Sequence, residues 1–420
     1  MLGRIVTQTR SPSPTGPHER HEACCPTAQT LIALRRRTLS QKLPAALAPE
    51  MREALLAVIK AGVTPRISVY LPVTPPPDAA QNEVLRRQVV DAAAKRLTAL
   101  GVNPLDSARS LERLEASLRE LAHQAPARGT LVGFASGPEV RCVSLAAALP
   151  LSVSVRRCLV LRPLLWALQI EGPYRVLTVS TKQVALFEGD ARGVRRAEQG
   201  ALPKSLEDAL GSEKTEKQLR VRGTGPAGHV PVYYTHHNAS QERKIDLQRF
   251  HHAIAAAINA RVAKDVAPLV LVADTTHQSG LRAELRVPAL IEAPVTASPD
   301  NWTDAQVHAQ AWPQVERARL ALCSAEPGSW ERARNTGKGI DLLDDIATAA
   351  VAGRIRRLWL EGERALPGRV DLGTGRLSSG APDDDILESL AEIVICHDGE
   401  VGIVTGSALP SKSGAAAELR

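Results

Sequence analysis

The side chains best suited to chemistry in this 420-residue chain crowd into one stretch. His229, His236, His237 and Gln241 follow the glycine cluster Gly223, Gly225 and Gly228, and His251 and His252 come next. Histidine changes charge near neutral pH and can serve as acid, base or metal ligand. A glutamine amide can orient an attacking water. Adjacent side chains diverge on a helix or a strand, so each histidine pair can offer at most one ligand to a shared metal. The expectation is surface or half-buried histidines and no metal site. His236, His237 and Gln241 remain as the candidates for positioning a water molecule.

The glycines spell a literal G-x-G-x-x-G, from Gly223 to Gly228. A dinucleotide site needs a strand before that motif and a helix starting inside it, so that helix amides meet the pyrophosphate. Here KQLRVR precedes, HVPVYY follows and Pro226 removes an amide. The reading is therefore an exposed loop whose glycines leave the backbone free. Gly337-Lys338 lacks the other glycines of a phosphate-binding loop, and no cofactor is expected. The acidic run Asp383-Asp384-Asp385 stands where a helix should start, so its expected work is to cap amides and oppose the helix dipole. Asp341, Asp344 and Asp345 read in the same way.

Charge makes the same stretch informative as a whole. Between Ser212 and Lys244, the cations Lys214, Lys217, Arg220, Arg222, Arg243 and Lys244 face only Glu213, Glu216 and Glu242. The chain carries +7 overall, and residues 1–50 account for much of that, so the body is close to neutral. A basic, glycine-punctuated loop carried by a rigid domain suits contact with a phosphate backbone. Six scattered cysteines with no CxxC pair argue against a disulfide framework or a zinc ribbon, and fit a reducing, cytoplasmic compartment. No apolar run reaches the roughly 18 residues of a membrane span, and no membrane partner is expected.

The elements that must position these residues follow from periodicity. Residues 1–50 are rich in Pro, Ser, Thr and Gly and read as a disordered basic tail. From 51 to 160, the strand ISVYLPV, two amphipathic helices and the strands GTLVGFAS, EVRCVSL and LSVSV make one α/β domain. From 161 to 298 come a short apolar helix (LRPLLWALQ) and two strands, YRVLTVS and VALFEGD, around the turn Thr181-Lys182-Gln183. The basic loop follows, then a helix with Ile245, Phe250, Ile254, Ile258 and Val262 as its apolar stripe. The uninterrupted apolar run PLVLVAD predicts a buried, parallel central strand. From 299 to 420, helix and strand alternate again in a third α/β domain, with Pro313 expected to kink or split its first helix.

The order of these motifs resembles the bacterial members of the archaeo-eukaryotic release factor and pelota superfamily. It carries ISVYLPV, LRPLLWAL, YRVLTVSTKQVALFEGD, ALPKSLEDAL, a loop, a helix with Arg249-Phe250, PLVLVAD and AAVAGRIRRLWLE. The resemblance implies three α/β domains, the middle one ribonuclease-H-like and the last similar to the kink-turn-binding ribosomal proteins. It also implies ribosome, tRNA or rRNA as partners. In that superfamily a loop of the middle domain carries Gly-Gly-Gln to the ester joining peptide and tRNA. Here the corresponding loop has no Gly-Gly-Gln, and Gln241, preceded by Ala239 and Ser240, is its only loose analogue. If the protein is an enzyme, the implied reaction is hydrolysis of the peptidyl-tRNA ester, without the family's glutamine. The alternative is a non-catalytic scaffold whose loop binds a protein partner.

Overall fold

The computed structural model describes residues 47–73, 79–124, 129–211, 237–262, 267–324, 327–379, 383–406, 409 and 411–420. The tail up to residue 46 and most of the basic loop, residues 212–236, lie outside the described residues. The mixed α/β fold is built on three main sheets.

The first unit comprises α1 (Pro49–Lys60), β1 (Arg66–Val73), α2 (Ala79–Ala99), α3 (Pro104–Gln124), β2 (Gly129–Ser136), β3 (Glu139–Leu145) and β4 (Ser152–Arg156). Its antiparallel sheet runs β3-β2-β1-β4. Alternation along β1 sends Ile67, Val69 and Leu71 under α2 and α3, where they meet Val89, Ala93, Leu97, Leu114 and Leu118. Tyr70 leaves by the opposite face and packs with Val132, Phe134 and Leu55 of α1.

The middle unit begins with α4 (Arg162–Glu171), followed by β5 (Tyr174–Val179), β6 (Val184–Asp190), β7 (Gly193–Arg196) and α5 (Leu206–Leu210). It continues with α6 (His237–Val262), β8 (Leu269–Ala273), α7 (Thr275–Glu284), β9 (Val295–Thr296) and α8 (Asp304–Cys323). The sheet order is β7-β6-β5-β8-β9. The first three strands form an antiparallel meander, and β8 and β9 then add parallel to β5. All five residues of β8 are buried, as its unbroken apolar run requires. The helices α6 and α7 cover one face. The other face is covered through Val307, Ala311 and Val315 by α8, a helix that the sequence reading placed in the last domain. A single helix runs through Pro313, which lies on the exposed side, where water can hydrate the carbonyl its ring cannot serve.

The last unit contains α9 (Gly328–Asn335), β10 (Gly339–Ile340), α10 (Leu343–Val351), β11 (Ile355–Glu361), the β12–β13 hairpin (Arg369–Val370 and Leu377–Ser378), α11 (Ile386–Cys396), β14 (Glu400–Val404) and β15 (Ala415–Leu419). Its sheet runs β10-β15-β11-β14, with α10 and α11 on one face and Trp330 of α9 against Trp359 on the other.

The first and last units share one apolar core, and α4 passes through it. What fixes that passage is polar. Three buried acids stand four residues apart: Asp384 just before α11, and Glu388 and Glu392 on it. They accept, in turn, the backbone amides of Arg157 (3.2 Å), Leu161 (2.7 Å) and Leu159 (2.8 Å). Arg162 is buried beside them. It donates to Glu388 (2.9 Å), to Asp385 (2.5 Å) and to the carbonyl oxygens of Glu361 (2.9 Å) and Arg364. Arg66 of β1 grips both oxygens of Glu392 (2.8 and 2.6 Å). Asp385 also caps α11 by accepting from the Leu387 amide (2.8 Å), the role expected of the acidic run. Asp384 additionally pairs with Arg369 (2.6 Å).

Removing one member of a buried ion pair strands its partner in a low dielectric, so Arg162→Ala should lower stability by about 3–5 kcal/mol. Equilibrium denaturation checks this. A loss under about 1 kcal/mol would mean that water replaces the arginine.

Candidate functional site

Only part of the predicted site falls within the described residues, and that part lies on one helix. The strict i+4 series Phe250, Ile254, Ile258 and Val262 anchors α6 against the sheet, and each of the four is buried. Ile245 was expected to belong to that stripe, yet it is 49% exposed. The reason is angular. Five residues before Phe250 amount to roughly 140° around the helix, so Ile245 points away from the sheet. Leu247, three before Phe250, carries the stripe onward and is half-buried against the same core. Gln241, Lys244, Ile245 and Gln248 share an outward face, and Arg243 is exposed as well. Gln241, Arg243, Lys244 and Ile245 thus stand clear of the core, on a stem of α6 that carries three of the predicted residues. His237 opens the helix backbone, but its side chain lies outside the described residues. So do His236, Lys214, Lys217, Arg220, Arg222 and the glycines Gly223, Gly225 and Gly228.

At the base of the stem the two neighbouring histidines diverge, as their spacing requires. His252 is exposed and lies 3.2 Å from Glu284 of α7. His251 corrects the expectation of a surface or half-buried side chain, because it is 3% exposed. Its Nε2 lies 2.9 Å from Nδ1 of His277, which is also buried. His277 is placed by α7, whose first turn is capped by Asp274 through the amides of Thr276 and His277. His251 rests on Gly280, where an added Cβ would fall 2.2 Å from its Nδ1. Phe250 closes the group edge-on to His277. Burial, with His277 alongside, pushes the His251 pKa down to about 4. Burial lowers His277 too, against the pull of Asp274. Both rings are therefore neutral near pH 7, and they join α6 to α7 as packing residues. Among the described residues, no three His, Cys, Asp or Glu side chains converge as metal ligands.

A cleft of about 870 Å³ opens where the three units meet, with Met51, Leu165 and Leu168 on its walls. Its mouth carries Arg175, Glu188, Asp190 and Arg192. Glu188 is shared by Arg175 (3.2 Å) and Arg261 of α6 (3.6 Å). Arg192 donates to the Ser144 carbonyl (2.6 Å), tying the middle unit to the first. These charges largely compensate one another. Among the described residues, Arg243 and Lys244 on the α6 stem pair with no carboxylate, which makes the stem the stronger candidate for a polyanion. Sequence reading missed the histidine pair, because a contact across 26 residues leaves no local signal.

Two outcomes test this packing. Unfolding frees both histidines to bind protons at their ordinary value, while the folded state keeps them neutral. Stability is therefore fully present above about pH 6.5 and falls as pH drops toward 4, by roughly 1–3 kcal/mol. Thermal melts across that range should show the loss in the native protein and a flatter profile in His251→Asn. Gly280→Ala would ordinarily favour a helix by up to about 1 kcal/mol. Here it should destabilise by about 1–3 kcal/mol, because the methyl group meets a buried ring.

Residues 173–354 match the model of bacterial archaeo-eukaryotic release factor family 3. No curated protein matches the chain. Similar solved structures include the archaeal translation termination factor aRF1, at 14% identity over 90% of this chain and 100% of that one, with a TM-score of 0.21. Ribosome-bound archaeal Pelota, described together with ABCE1, shares 13% identity over 70% of this chain and 77% of its own, with a TM-score of 0.33. Dom34 of S. cerevisiae, a translation termination-like factor that interacts with Hbs1, shares 10% identity over 69% and 79%, with a TM-score of 0.31. The matched residues 173–354 span the whole middle sheet and reach past α10.

Proposed function

We propose that this protein is a ribosome-associated factor of the release and rescue type that binds RNA, tRNA or rRNA, through the α6 stem and the basic segment before it. The observation that carries the reading is the exposure of Arg243 and Lys244 on a helix whose anchoring begins only at Leu247 and Phe250. A helix held at one end by four buried residues presents its free end without ordering a flexible arm on binding, which keeps the entropic cost of contact low. The cations Lys214, Lys217, Arg220 and Arg222 precede the same helix in sequence and would add to its field. Binding is the favoured activity over hydrolysis, because the chain has no Gly-Gly-Gln and Gln241 sits on a regular helix. A regular helix spends its backbone amides internally and offers none to a developing oxyanion.

A second reading has one observation of its own. Ile245 lies exposed between the polar residues of the outward face, as an apolar anchor for a protein partner would.

The protein should co-sediment with ribosomes at low salt and dissociate as salt rises, because each phosphate contact releases counterions. The double variant Arg243→Glu, Lys244→Glu should weaken that association and lower the slope of log affinity against log salt by about 2. Association unaffected by both salt and the double variant would favour the protein-partner reading.

A further inference from the structure

The last unit carries a second concentration of cations, on residues outside the predicted site. β11 begins, β15 ends and β10 begins at one end of the sheet, as the pairs Gly339 with Glu418 and Ile355 with Leu419 fix. Backbone bonds draw the flanking residues to the same place. The Leu419 amide donates to the Lys338 carbonyl (2.9 Å), and the Arg420 amide to the Arg354 carbonyl (2.9 Å). The Lys338 amide reaches the Ala333 carbonyl of α9 (2.9 Å), which places Arg332 and Arg334 beside it. Arg332, Arg334, Lys338 and Arg354 are all exposed.

Pairing decides what this end of the sheet offers. Glu418 is matched by Arg356 (3.1 Å), Glu400 by Arg357 and Asp398 by Arg52 (2.9 Å). Those three acids are spoken for by three arginines outside the group of four. Among the described residues, Arg332, Arg334, Lys338 and Arg354 pair with no carboxylate, although Glu331 adjoins Arg332 and Asp341 follows three residues after Lys338. The dipole of α9 accounts for Arg332 and Arg334 in its last turn. It does not account for Lys338 or Arg354, which belong to other elements.

We infer that this edge of the last unit is a second nucleic-acid contact, taking the phosphate backbone of an RNA helix. Arginine dominates the group, and its planar fork suits phosphate oxygens. The named cations flank strand ends and turns, with no exposed aromatic ring among them, so they would read the backbone and not stacked bases. The choice of RNA as the polyanion rests on the function proposed above; the patch itself rests on charge and placement alone.

The test is fluorescence anisotropy with a labelled 20-base-pair RNA duplex, titrated with the full chain between 50 and 200 mM KCl. Three proteins are compared: native, the triple variant Arg334→Gln, Lys338→Gln, Arg354→Gln, and the double variant at Arg243 and Lys244. The three exposed substitutions should leave the melting temperature unchanged. The triple variant should bind at least tenfold more weakly at 100 mM and lose about 3 from the salt slope. Unchanged affinity and slope in the triple variant overturn the inference. So does a variant that loses binding to vesicles containing phosphatidylserine while keeping full affinity for the duplex. A triple variant that weakens while the double variant does not upholds this patch and refutes the α6 stem.

Discussion

Four buried carboxylates, the buried Arg162 and the half-buried Arg66 hold the position of everything else. The segment from Arg157 to Arg162 leaves the first sheet and becomes α4, and its amides are taken one after another by acids of α11. A charged ladder of this kind has a steep distance dependence and few equivalent arrangements, so it sets register where an apolar core alone would tolerate sliding. Burial pushes the carboxyls of Glu388 and Glu392 up, and their arginines pull them back. The first and last units are thereby locked into one body around a shared core.

The middle unit is tied to that body at the far end of α4. Arg319 of α8 donates to the carbonyl oxygens of Ile170 (2.7 Å), Gly172 (2.6 Å) and Pro173 (2.6 Å), closing the turn into β5. Gln169 sits on the edge of β14, accepting from the Ile403 amide and donating to its carbonyl. The short helix α4 is thus gripped from the last unit at its start and from the middle unit's own α8 at its end. Since β5 follows at once, the orientation of the middle sheet, and of the α6 stem on it, descends from these contacts.

Much of this was legible in sequence. The alternation in β1, the apolar run of β8 and the i+4 series from Phe250 to Val262 each carry a period that burial confirms. The short elements were not legible. β9, β10 and β15 each have two to five residues and owe their pairing to neighbours remote in sequence, and β7 is a four-residue return of the β6 hairpin. Ile245 shows how a residue of the right type can sit outside the stripe when its spacing is five. The acids at α11 did leave a signal, in the spacing of Asp384, just before the helix, with Glu388 and Glu392 on its otherwise largely apolar length. That spacing is visible in the sequence, but the partners Arg66 and Arg162 lie more than two hundred residues away.

The proposed RNA contact lies on the outward face of the α6 stem. The most direct measurement places a photo-reactive benzoyl-phenylalanine at position 245, irradiates cell extract and identifies what becomes covalently attached. Adducts digested by ribonuclease, and mapping to ribosomal or transfer RNA, are the predicted result. Adducts that resist ribonuclease and contain only another polypeptide would contradict it.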